Sequence, residues 1–574
     1  MVLSPRQALA GTIGREGVLD AAPAALLLAA ALLLGGGSRS GFLSDAILQL
    51  IAVAVLLMTV ARWPIAAQDR RPWWELGLCA ALVLIPLVQL LPLPPAIWSA
   101  LAGGDLRTSA FELSQRQPGW AQISLQPIGT WLSLAAILPP LTMFLATVSL
   151  GYLERRTLST VLLAVGVFAA VVGLAQVAQG PNSPLRPFPI TNPTEAVGFF
   201  ANRNHFAALV NVMLPFVTAW TVYLMSPQET DRANASNAGI FDTRMIVSAI
   251  AGFTVLVALL AAEAMARSRA GLGLAIVALT ACYILTWSGG SGSTRRAAPR
   301  TSRGLTSSRL ILAAVGLASV MILQFAVYRI LDRFETDPLQ DARVVFAQRT
   351  YDAAVAYMPW GSGLGSFVAV YASRERPQDA LVDVFANHAH NDFLELWLET
   401  GALGTAVFAA FLIWLAWRTL GAWRSALAGA ETIDVWLARA AGVAIVLMLL
   451  HSVVDYPLRT GAIMVTFGFA CGLLVAPLRP AAVRAPVPER TRAAQPRRDR
   501  LPMPPVAARA DDVAWPTQPA AKPTAGPASP TKPGAQWTSD AAWPDAWSKP
   551  QQPAGPTRRP APPPRAPDPE EDAE

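Results

Sequence analysis

The feature that most constrains this chain is a succession of apolar blocks, most of them about as long as a membrane-spanning helix. A helix needs about 20 apolar residues to cross the hydrocarbon core of a bilayer. Of the 574 residues, 53% are hydrophobic and 14% are charged, against roughly 25% charged in a typical soluble domain. The pattern argues against an ordinary soluble enzyme and predicts an all-α, polytopic integral membrane protein.

About twelve spans are predicted from the positions of these blocks. They are residues 22–36, 43–62, 75–93, 130–149, 158–178, 205–225, 245–266, 270–288, 310–328, 403–420, 437–457 and 461–478. The first block is followed by further spans, so we interpret it as a membrane anchor and not as a cleaved signal peptide.

Arginines near the ends of the spans predict the orientation, because short cytoplasmic loops carry an excess of Lys and Arg. With the N-terminus in the cytoplasm, the loop 289–309 is cytoplasmic, and it carries five arginines and no acid. The long loop at about 329–402 then lies on the opposite, outer face, and an even number of spans places both termini in the cytoplasm. The net charge of +7 is explained by these flanking arginines and does not indicate nucleic acid.

A polar tail, residues 479–574, follows the membrane domain 1–478. Of the 48 prolines in the chain, 23 lie in residues 480–574. The tail has no hydrophobic period and cannot bury a core, which predicts a disordered cytoplasmic segment. It contains Trp515, Trp537, Trp543 and Trp547. These tryptophans could contact a cytoplasmic partner, or the tail could be tolerated without one.

A short amphipathic helix is predicted at the end of the long outer loop. Asn391 or Asp392 can cap its N-terminus, and Gly401 is suited to end it in a left-handed conformation. One face carries three acids at helical spacing, namely Asp392, Glu395 and Glu399. Taken alone, this pattern favours an interfacial helix whose acids are solvated.

The chain has four histidines, and on the predicted topology all of them lie at or near the outer face. They are His205, His388, His390 and His451. Histidine titrates near neutral pH and can serve as a general base. His388 and His390 precede the amphipathic helix and could, with Asp392, contribute to a metal site. The chain has no His-Glu-x-x-His motif, and we expect no metal ion and no cofactor.

Several arginines on the same side could bind an anion. Arg203 lies between Asn202 and Asn204 at a helix start, where several donors and a positive helix end suit phosphate. The alternative for Arg203 is a side chain that snorkels at the membrane interface. Arg343 and Arg349 lie on a predicted helix in the long outer loop.

The turn between the seventh and eighth spans carries Arg267 and Arg269, against the general distribution of positive charge. Glu263 and Arg267 are four residues apart and can form a structural pair, which would leave Arg269 to meet an anion. By the same spacing, His451 and Asp455 can pair near a helix end.

A glycine-rich stretch, Pro359–Phe367, resembles a phosphate loop only superficially, because it lacks the Lys-Ser/Thr of a nucleotide site. It also lies on the wrong side of the membrane for ATP. We therefore expect tight turns around a cavity.

Together these motifs resemble the O-antigen ligase/polymerase superfamily of bacterial inner membranes, in motif and order over about residues 195–410. The ligase signature is His-Asn, nine residues, then Gly-x-x-Gly. Here His390-Asn391 is followed by residues 392–400 and then by Gly401-Ala402-Leu403-Gly404. Weaker similarity is carried by three further motifs, Asn202–His205, Ser268–Gly271 and Pro359–Gly365.

The resemblance implies a membrane glycosyltransferase in the bacterial inner membrane, with its active site facing the periplasm. The donor would be a glycan linked to polyprenyl diphosphate, and the acceptor a hydroxyl of the lipopolysaccharide core or of another saccharide or lipid-linked acceptor, among membrane lipids. We expect His390 to act as base, with His388 as the second candidate. Arg203 and Arg269 would hold the diphosphate, with help from Arg343 or Arg349. Six residues would support the site: Asn202, Asn204, His205, Asn391, Gly401 and Gly404.

Three other functions stay open. A surface-polysaccharide polymerase of the same superfamily needs the same donor and the same kind of hydroxyl. A transporter of a small anion such as bicarbonate would place polar groups at mid-membrane, whereas here the ionisable groups gather at the periplasmic mouth. A scaffold that recruits partners through its tail would tolerate the loss of His390.

Overall fold

Apolar helices form most of the chain, as the apolar blocks predict. The computed structural model describes residues 15–39, 43–63, 72–225, 243–289, 339–377, 386–427 and 433–477. The predicted span 310–328, most of the loop 289–309 and the tail 479–574 lie outside these residues. The count of twelve spans and the division into domains therefore stay predictions.

The elements follow one another as helices, with one short β-hairpin near the start. In chain order they are α1 (Arg15–Leu34), α2 (Leu43–Ala61), α3 (Trp73–Gln89), β1 (Pro92–Leu93), α4 (Pro95–Trp98), α5 (Gly104–Leu113), β2 (Ala121–Gln122), α6 (Pro127–Ser149), α7 (Tyr152–Gln179), α8 (Arg203–Met225), α9 (Thr243–Ala266), α10 (Arg269–Gly289), α11 (Leu339–Ala356), α12 (Phe367–Arg374), α13 (Asp392–Leu427), α14 (Ile433–His451), a 3₁₀ turn (Pro457–Arg459) and α15 (Gly461–Leu473). β1 and β2 pair antiparallel.

Among the described helices, eight are long and apolar enough to cross a membrane, namely α2, α6, α7, α8, α9, α10, α13 and α14. Shorter apolar segments lie in α1, α3 and α15. Each predicted span that falls within the described residues coincides with one of these helices. The chain is thus an all-α, multi-pass membrane protein.

Helix α8 forms the centre of the helical body. Its side chains are buried almost without interruption from Asn204 to Ala219, because it packs against α9, α14, α10 and α7. Around it, α6 packs against α15 and α2, and α1 packs against α7. The N-terminus of α8, where Arg203 and His205 lie, is therefore surrounded by the ends of neighbouring helices.

Two helix boundaries differ from the prediction. The predicted span 437–457 ends early, because α14 stops at His451 and the chain turns before Pro457. A proline cannot continue a helix, and it disfavours helical geometry in the residue before it. At Gly401 the backbone has φ 60° and ψ −145°, outside the left-handed helical region, and a helix resumes at once. The predicted amphipathic helix and the following span are therefore two segments of one kinked element, α13.

Two arginines, the buried Arg155 and the half-buried Arg156, join helices at the end of the body opposite the histidines. Arg155 donates hydrogen bonds of 2.6 to 3.1 Å to backbone oxygens at the C-terminal ends of α6 and α15, where helix carbonyls lack partners within the helix. Arg156 donates two hydrogen bonds, of 2.8 and 2.6 Å, to the carboxylate of Asp434 and so connects α7 to α14. These arginines, which the sequence suggests set the orientation, also join helix ends.

The Arg156–Asp434 pair should contribute to stability more than an exposed pair does. We expect Arg156→Gln to lower the free energy of unfolding by about 1.5–3 kcal/mol, the usual contribution of a charge-assisted hydrogen bond. Arg62 lies 3.7 Å from Asp20, and both side chains are largely exposed, so Arg62→Gln should cost less than about 1 kcal/mol. Unfolding of the full chain in detergent micelles measures both losses, and equal losses would contradict the expectation.

Candidate active site

All four histidines, which belong to separate parts of the chain, meet at one end of the helical body. The rings of His205, His388 and His390 contact the ring of Tyr456, with centroid distances of 4.8, 4.3 and 4.9 Å. His451 is close enough to interact electrostatically with His205. Burial and the nearby charge of Asp455 raise the pKa of Tyr456 to about 12, so its hydroxyl stays neutral among the imidazoles.

His390 is held by a buried carboxylate and an aromatic ring. Its Nδ1 donates a hydrogen bond of 3.0 Å to Oδ1 of Asp455. Its ring stacks on the ring of Phe346, with a distance of 6.1 Å between the ring centroids. The side chain of His390 is 19% exposed and that of Asp455 is 0% exposed. The backbone of His390 has φ 51°, a conformation that non-glycine residues adopt seldom and often at functional sites. The remaining ring nitrogen, Nε2, has no hydrogen-bond partner among the described residues.

Asp455 collects several polar contacts in the turn after α14. Besides the hydrogen bond from His390, it accepts one from the side-chain amide of Asn204. Burial raises the pKa of this carboxyl, but the hydrogen bond from His390 and the electrostatic influence of His390, His205 and Arg343 outweigh burial. The pKa of Asp455 is therefore held well below its ordinary value, and the group is ionised. Asn202 supports this arrangement, because its side-chain oxygen accepts a hydrogen bond of 2.9 Å from the backbone of Asn204.

The predicted pair between His451 and Asp455 is not formed. Neither ring nitrogen of His451 has a hydrogen-bond partner in the part of the chain that the structure describes. The backbone N–H of Asp455 still donates a hydrogen bond of 3.0 Å to the backbone oxygen of His451. The prediction of a side-chain pair was wrong because the carboxylate of Asp455 accepts its hydrogen bonds from His390 and Asn204 instead.

His388 has a second carboxylate partner. Its Nδ1 lies 2.8 Å from Oε1 of Glu395, and the other oxygen of Glu395 accepts a hydrogen bond of 2.9 Å from the backbone N–H of Ala389. The site therefore contains two imidazole–carboxylate pairs, and both imidazoles contact the ring of Tyr456.

The acidic face of α13 is buried around one arginine. Asp392, Glu395 and Glu399 are 6%, 1% and 0% exposed, and Arg459 lies 3.5, 3.5 and 2.9 Å from their oxygens. Burial alone lowers the pKa of Arg459, but the three carboxylates outweigh it and hold that pKa above its ordinary value. The expectation of solvated acids was wrong, because the 3₁₀ turn after α14 returns the chain to this face of α13.

Asn391, and not Asp392, caps α13. Its side-chain oxygen accepts hydrogen bonds of 3.0 Å from the backbone of Phe393 and Leu394, and its amide donates to the backbone oxygen of Val453 at 2.8 Å. Asp392 is engaged elsewhere, since it accepts a hydrogen bond of 2.7 Å from the hydroxyl of Ser452. Both residues thus connect the start of α13 to the turn after α14.

The glycine-rich loop makes tight turns, with φ of 75°, 105° and 75° at Gly361, Gly363 and Gly365. Its consecutive backbone N–H groups from Gly361 to Gly365 all donate to protein acceptors: the backbone oxygens of Tyr357, Leu398 and Glu399, the side chain of Gln89 and the side chain of Glu399. With no N–H left over, these five residues cannot cradle a phosphate. The loop instead attaches the segment 339–377, which we call the lid, to α3 and α13.

Gly401 permits this attachment. The backbone oxygen of Pro359 accepts a hydrogen bond of 2.8 Å from Ala402, and a Cβ on Gly401 would lie 2.2 Å from that oxygen. Gly404 lies one turn further along α13, against the side chain of Thr400. The two motif glycines therefore serve the kink and its packing.

The arginines predicted to bind the diphosphate differ in their surroundings. Arg203 lies 2.8 Å from a carboxylate oxygen of Glu195, and Arg349 lies 3.8 Å from Asp352. Arg343 influences Asp455 and His451 electrostatically and has no ion-pair partner within the described ranges. Arg343 thus influences the carboxylate partner of His390 and has no carboxylate at ion-pair distance among the described residues.

Arg269 is the first residue of α10, and the hydroxyl of Ser268 caps this helix by accepting a hydrogen bond of 3.0 Å from Gly271. The predicted pair between Glu263 and Arg267 is not formed. The carboxylate oxygens of Glu263 are buried without a hydrogen-bond partner among the described residues. The reason is that α9 ends at Ala266 and Arg267 adopts φ 51°, which removes the helical spacing.

Sequence reasoning missed Tyr456 and Arg459, and it assigned Asp455 to the wrong partner. Asp455 and Tyr456 lie at the end of the predicted span 437–457, and Arg459 lies just after it. A charged residue inside a predicted apolar span was the available signal. Their partners could not be found from spacing, because the His390–Asp455 contact joins residues 65 positions apart.

The fold and the site define a multi-pass membrane protein with a histidine- and arginine-rich site at one end of its helical body. The sequence model of a family described as O-antigen ligase matches residues 253–409. This match supports membership of the O-antigen ligase/polymerase superfamily. None of the curated proteins matches the sequence. At the level of the superfamily, membership indicates a glycosyltransferase-like membrane enzyme that acts on lipid-linked glycans.

Removal of Arg459 should destabilise the protein in a pH-dependent way. Arg459→Gln leaves three buried carboxylates without a cation, and we expect a loss of at least about 3 kcal/mol in the free energy of unfolding. The raised pKa keeps Arg459 charged throughout the working range. The loss should be larger at about pH 8 than at about pH 5, because the abandoned carboxylates take up protons as the pH falls.

Thermal unfolding in detergent micelles at several pH values measures this loss. Arg374→Gln changes an exposed lid arginine that contacts the ring of Tyr357 and is the matched control. Adding Glu399→Gln to Arg459→Gln should recover part of the stability. A small loss that does not vary with pH would show that the carboxylates do not depend on Arg459.

Proposed function

We propose that the protein is an O-antigen ligase-type glycosyltransferase, which moves a glycan from a polyprenyl-diphosphate carrier to an acceptor hydroxyl at the periplasmic face of the inner membrane. The observation that carries the proposal is the hydrogen bond from Nδ1 of His390 to the buried, ionised Asp455. A histidine whose Nδ1 is held in this way presents a basic Nε2, and its partner stabilises the imidazolium that forms when Nε2 takes a proton.

His390 fits the role of general base better than His388. The reason is that their carboxylate partners, Asp455 and Glu395, differ in how far other groups neutralise their charge. Glu395 shares its charge with Arg459, 3.5 Å away, so less of that charge is available to an imidazolium on His388. Asp455 has no arginine at ion-pair distance among the described residues. Its charge is therefore available to stabilise a protonated His390.

In the proposed step, Nε2 of His390 accepts the proton of the acceptor hydroxyl as the hydroxyl oxygen attacks the anomeric carbon of the donor sugar. A bond forms between that oxygen and the anomeric carbon. The bond from the anomeric carbon to the diphosphate oxygen breaks, and the carrier diphosphate leaves with the electron pair. The proton on His390 then passes to solvent or to the departing diphosphate.

A leaving diphosphate gains negative charge and needs cations, and guanidinium groups bind phosphate oxygens in a fork geometry. Arg343, which influences Asp455 electrostatically, suits this role. Arg269, at the start of α10, is a further candidate. Compared with Arg343, Arg203 and Arg349 would first have to give up or share carboxylate partners. The periplasmic location is supported by Arg155 and Arg156, which lie at the opposite end of the body, as expected for a cytoplasmic face.

Loss of the base should abolish most of the transfer. We expect His390→Ala to lower the rate by about 10²–10⁴, the range for general base catalysis. Asp455→Asn should lower it by a similar order, because it removes the carboxylate charge that fixes the tautomer of His390 and stabilises its imidazolium. His388→Ala should cost less than His390→Ala. The measurement is glycan transfer from a lipid-diphosphate donor by the full chain in proteoliposomes, and Arg376→Ala, an exposed change in the lid, is the control.

The same variants in a bacterial host separate the two activities of the superfamily. A ligase defect leaves long glycans on the lipid carrier, whereas a polymerase defect leaves single repeat units there. Surface glycans that are unchanged in both His390→Ala and Asp455→Asn would overturn the enzymatic proposal.

Arg343 should matter more than Arg349. One charge-assisted hydrogen bond contributes about 1.5–3 kcal/mol, so we expect Arg343→Ala to lower kcat/KM by roughly 10- to 150-fold. Arg349→Ala should have a smaller effect. Steady-state kinetics with varied donor concentration measures both, and a larger effect at Arg349 would reverse the assignment.

A further inference from the structure

The lid helix α11 carries apolar side chains on two opposite faces. One face is buried in a small core with α12 and the first segment of α13, and it includes Phe346, Ala353 and Tyr357. The other face exposes Val344, Tyr351 and Val355, which are 68%, 52% and 51% exposed. Residues seven and four apart share one side of a helix. α11 therefore has an exposed apolar stripe, which Trp397 covers in part through a ring contact with Tyr351.

The stripe runs into the surface of a membrane span. After α11, Met358 and Trp360 are 37% and 55% exposed. Pro359, between them, accepts the hydrogen bond from Ala402 at the start of the second segment of α13. The next residue, Leu403, is 51% exposed.

From Leu403 onward, α13 presents exposed apolar side chains along a helix that is apolar enough to cross a membrane. They include Leu412, Ile413, Trp417 and Leu420. These side chains are the lipid-facing surface of the span. The exposed apolar surface of the lid is thus continuous with the surface that acyl chains cover.

We propose that a lipid-binding stripe, formed by Val344, Tyr351, Val355, Met358 and Trp360, rests on the bilayer at the boundary of headgroups and acyl chains. A helix with one apolar face lies in this boundary when that face can enter the acyl region. Tyrosine and tryptophan are enriched at this depth. The occupant is the bulk lipid of the leaflet at the histidine-bearing end of the body.

The surroundings of the stripe agree with this placement. Asp352 is exposed beside the stripe, where it would face water, while Gln348, four residues after Val344, is an exposed polar side chain on the stripe itself. The opposite face of the helix presents Phe346 to the ring of His390. Lipid contact would therefore hold His390 close to headgroup depth, where the polar part of any lipid-linked molecule lies.

The experiment places a benzophenone amino acid at single positions of the full chain in phosphatidylcholine liposomes with a trace of radiolabelled phosphatidylcholine. Two adjacent pairs are compared, Tyr351 with Asp352 and Val355 with Ala356. Both members of each pair are exposed, but their side chains point about 100° apart around the helix. After irradiation, we expect several-fold more lipid adduct at 351 and 355 than at 352 and 356.

Equal yields within both pairs would overturn the proposal, as would adducts of 351 or 355 with a second protein chain in place of lipid. The second pair keeps the test decisive if one variant fails to fold. The readout is independent of glycan transfer, so it can succeed or fail separately from the proposed enzymatic function.

Discussion

The first segment of α13 depends on one arginine, Arg459, which neutralises buried negative charge. Three carboxylates on one helix face are buried. Burial of an unpaired charge costs more free energy than packing of the helix alone contributes. Arg459 meets all three. Through Glu395 it steadies the backbone before His390, and through Glu399 it steadies the glycine-rich loop of the lid. The positions of both the histidine turn and the lid therefore depend on a guanidinium group outside either one.

The two imidazole–carboxylate pairs show how similar contacts acquire different chemistry. In each pair a histidine Nδ1 meets a buried carboxylate at about hydrogen-bond distance. The charge of Glu395 is neutralised by the permanent cation Arg459. Asp455 instead accepts hydrogen bonds from His390 and Asn204. The electrostatic surroundings of the carboxylate, and not its presence, separate a structural pair from one suited to catalysis. This distinction is the basis for assigning the base to His390.

Arginines make different contacts at the two ends of the helical body. At one end, Arg155 and Arg156 join helix termini and have fixed partners. At the histidine-bearing end, Arg343 remains near Asp455 without a carboxylate at ion-pair distance among the described residues. The lid that carries Arg343 meets the histidine turn with one face of α11 and exposes the other. A single helix can thus connect the site to the bilayer surface.

Local patterns in the sequence determined most of the helices, because the length and apolarity needed to cross a bilayer are properties of a continuous segment. They also indicated His390-Asn391 as the start of a helix and Gly401 as its break, since caps and kinks involve near neighbours. Only the tertiary structure decided the partners of His390 and of the three buried acids. Those partners come from the turn after α14, which spacing cannot relate to α13. Where sequence reasoning paired near neighbours, as with Glu263 and Arg267, it failed because the helix ended between them.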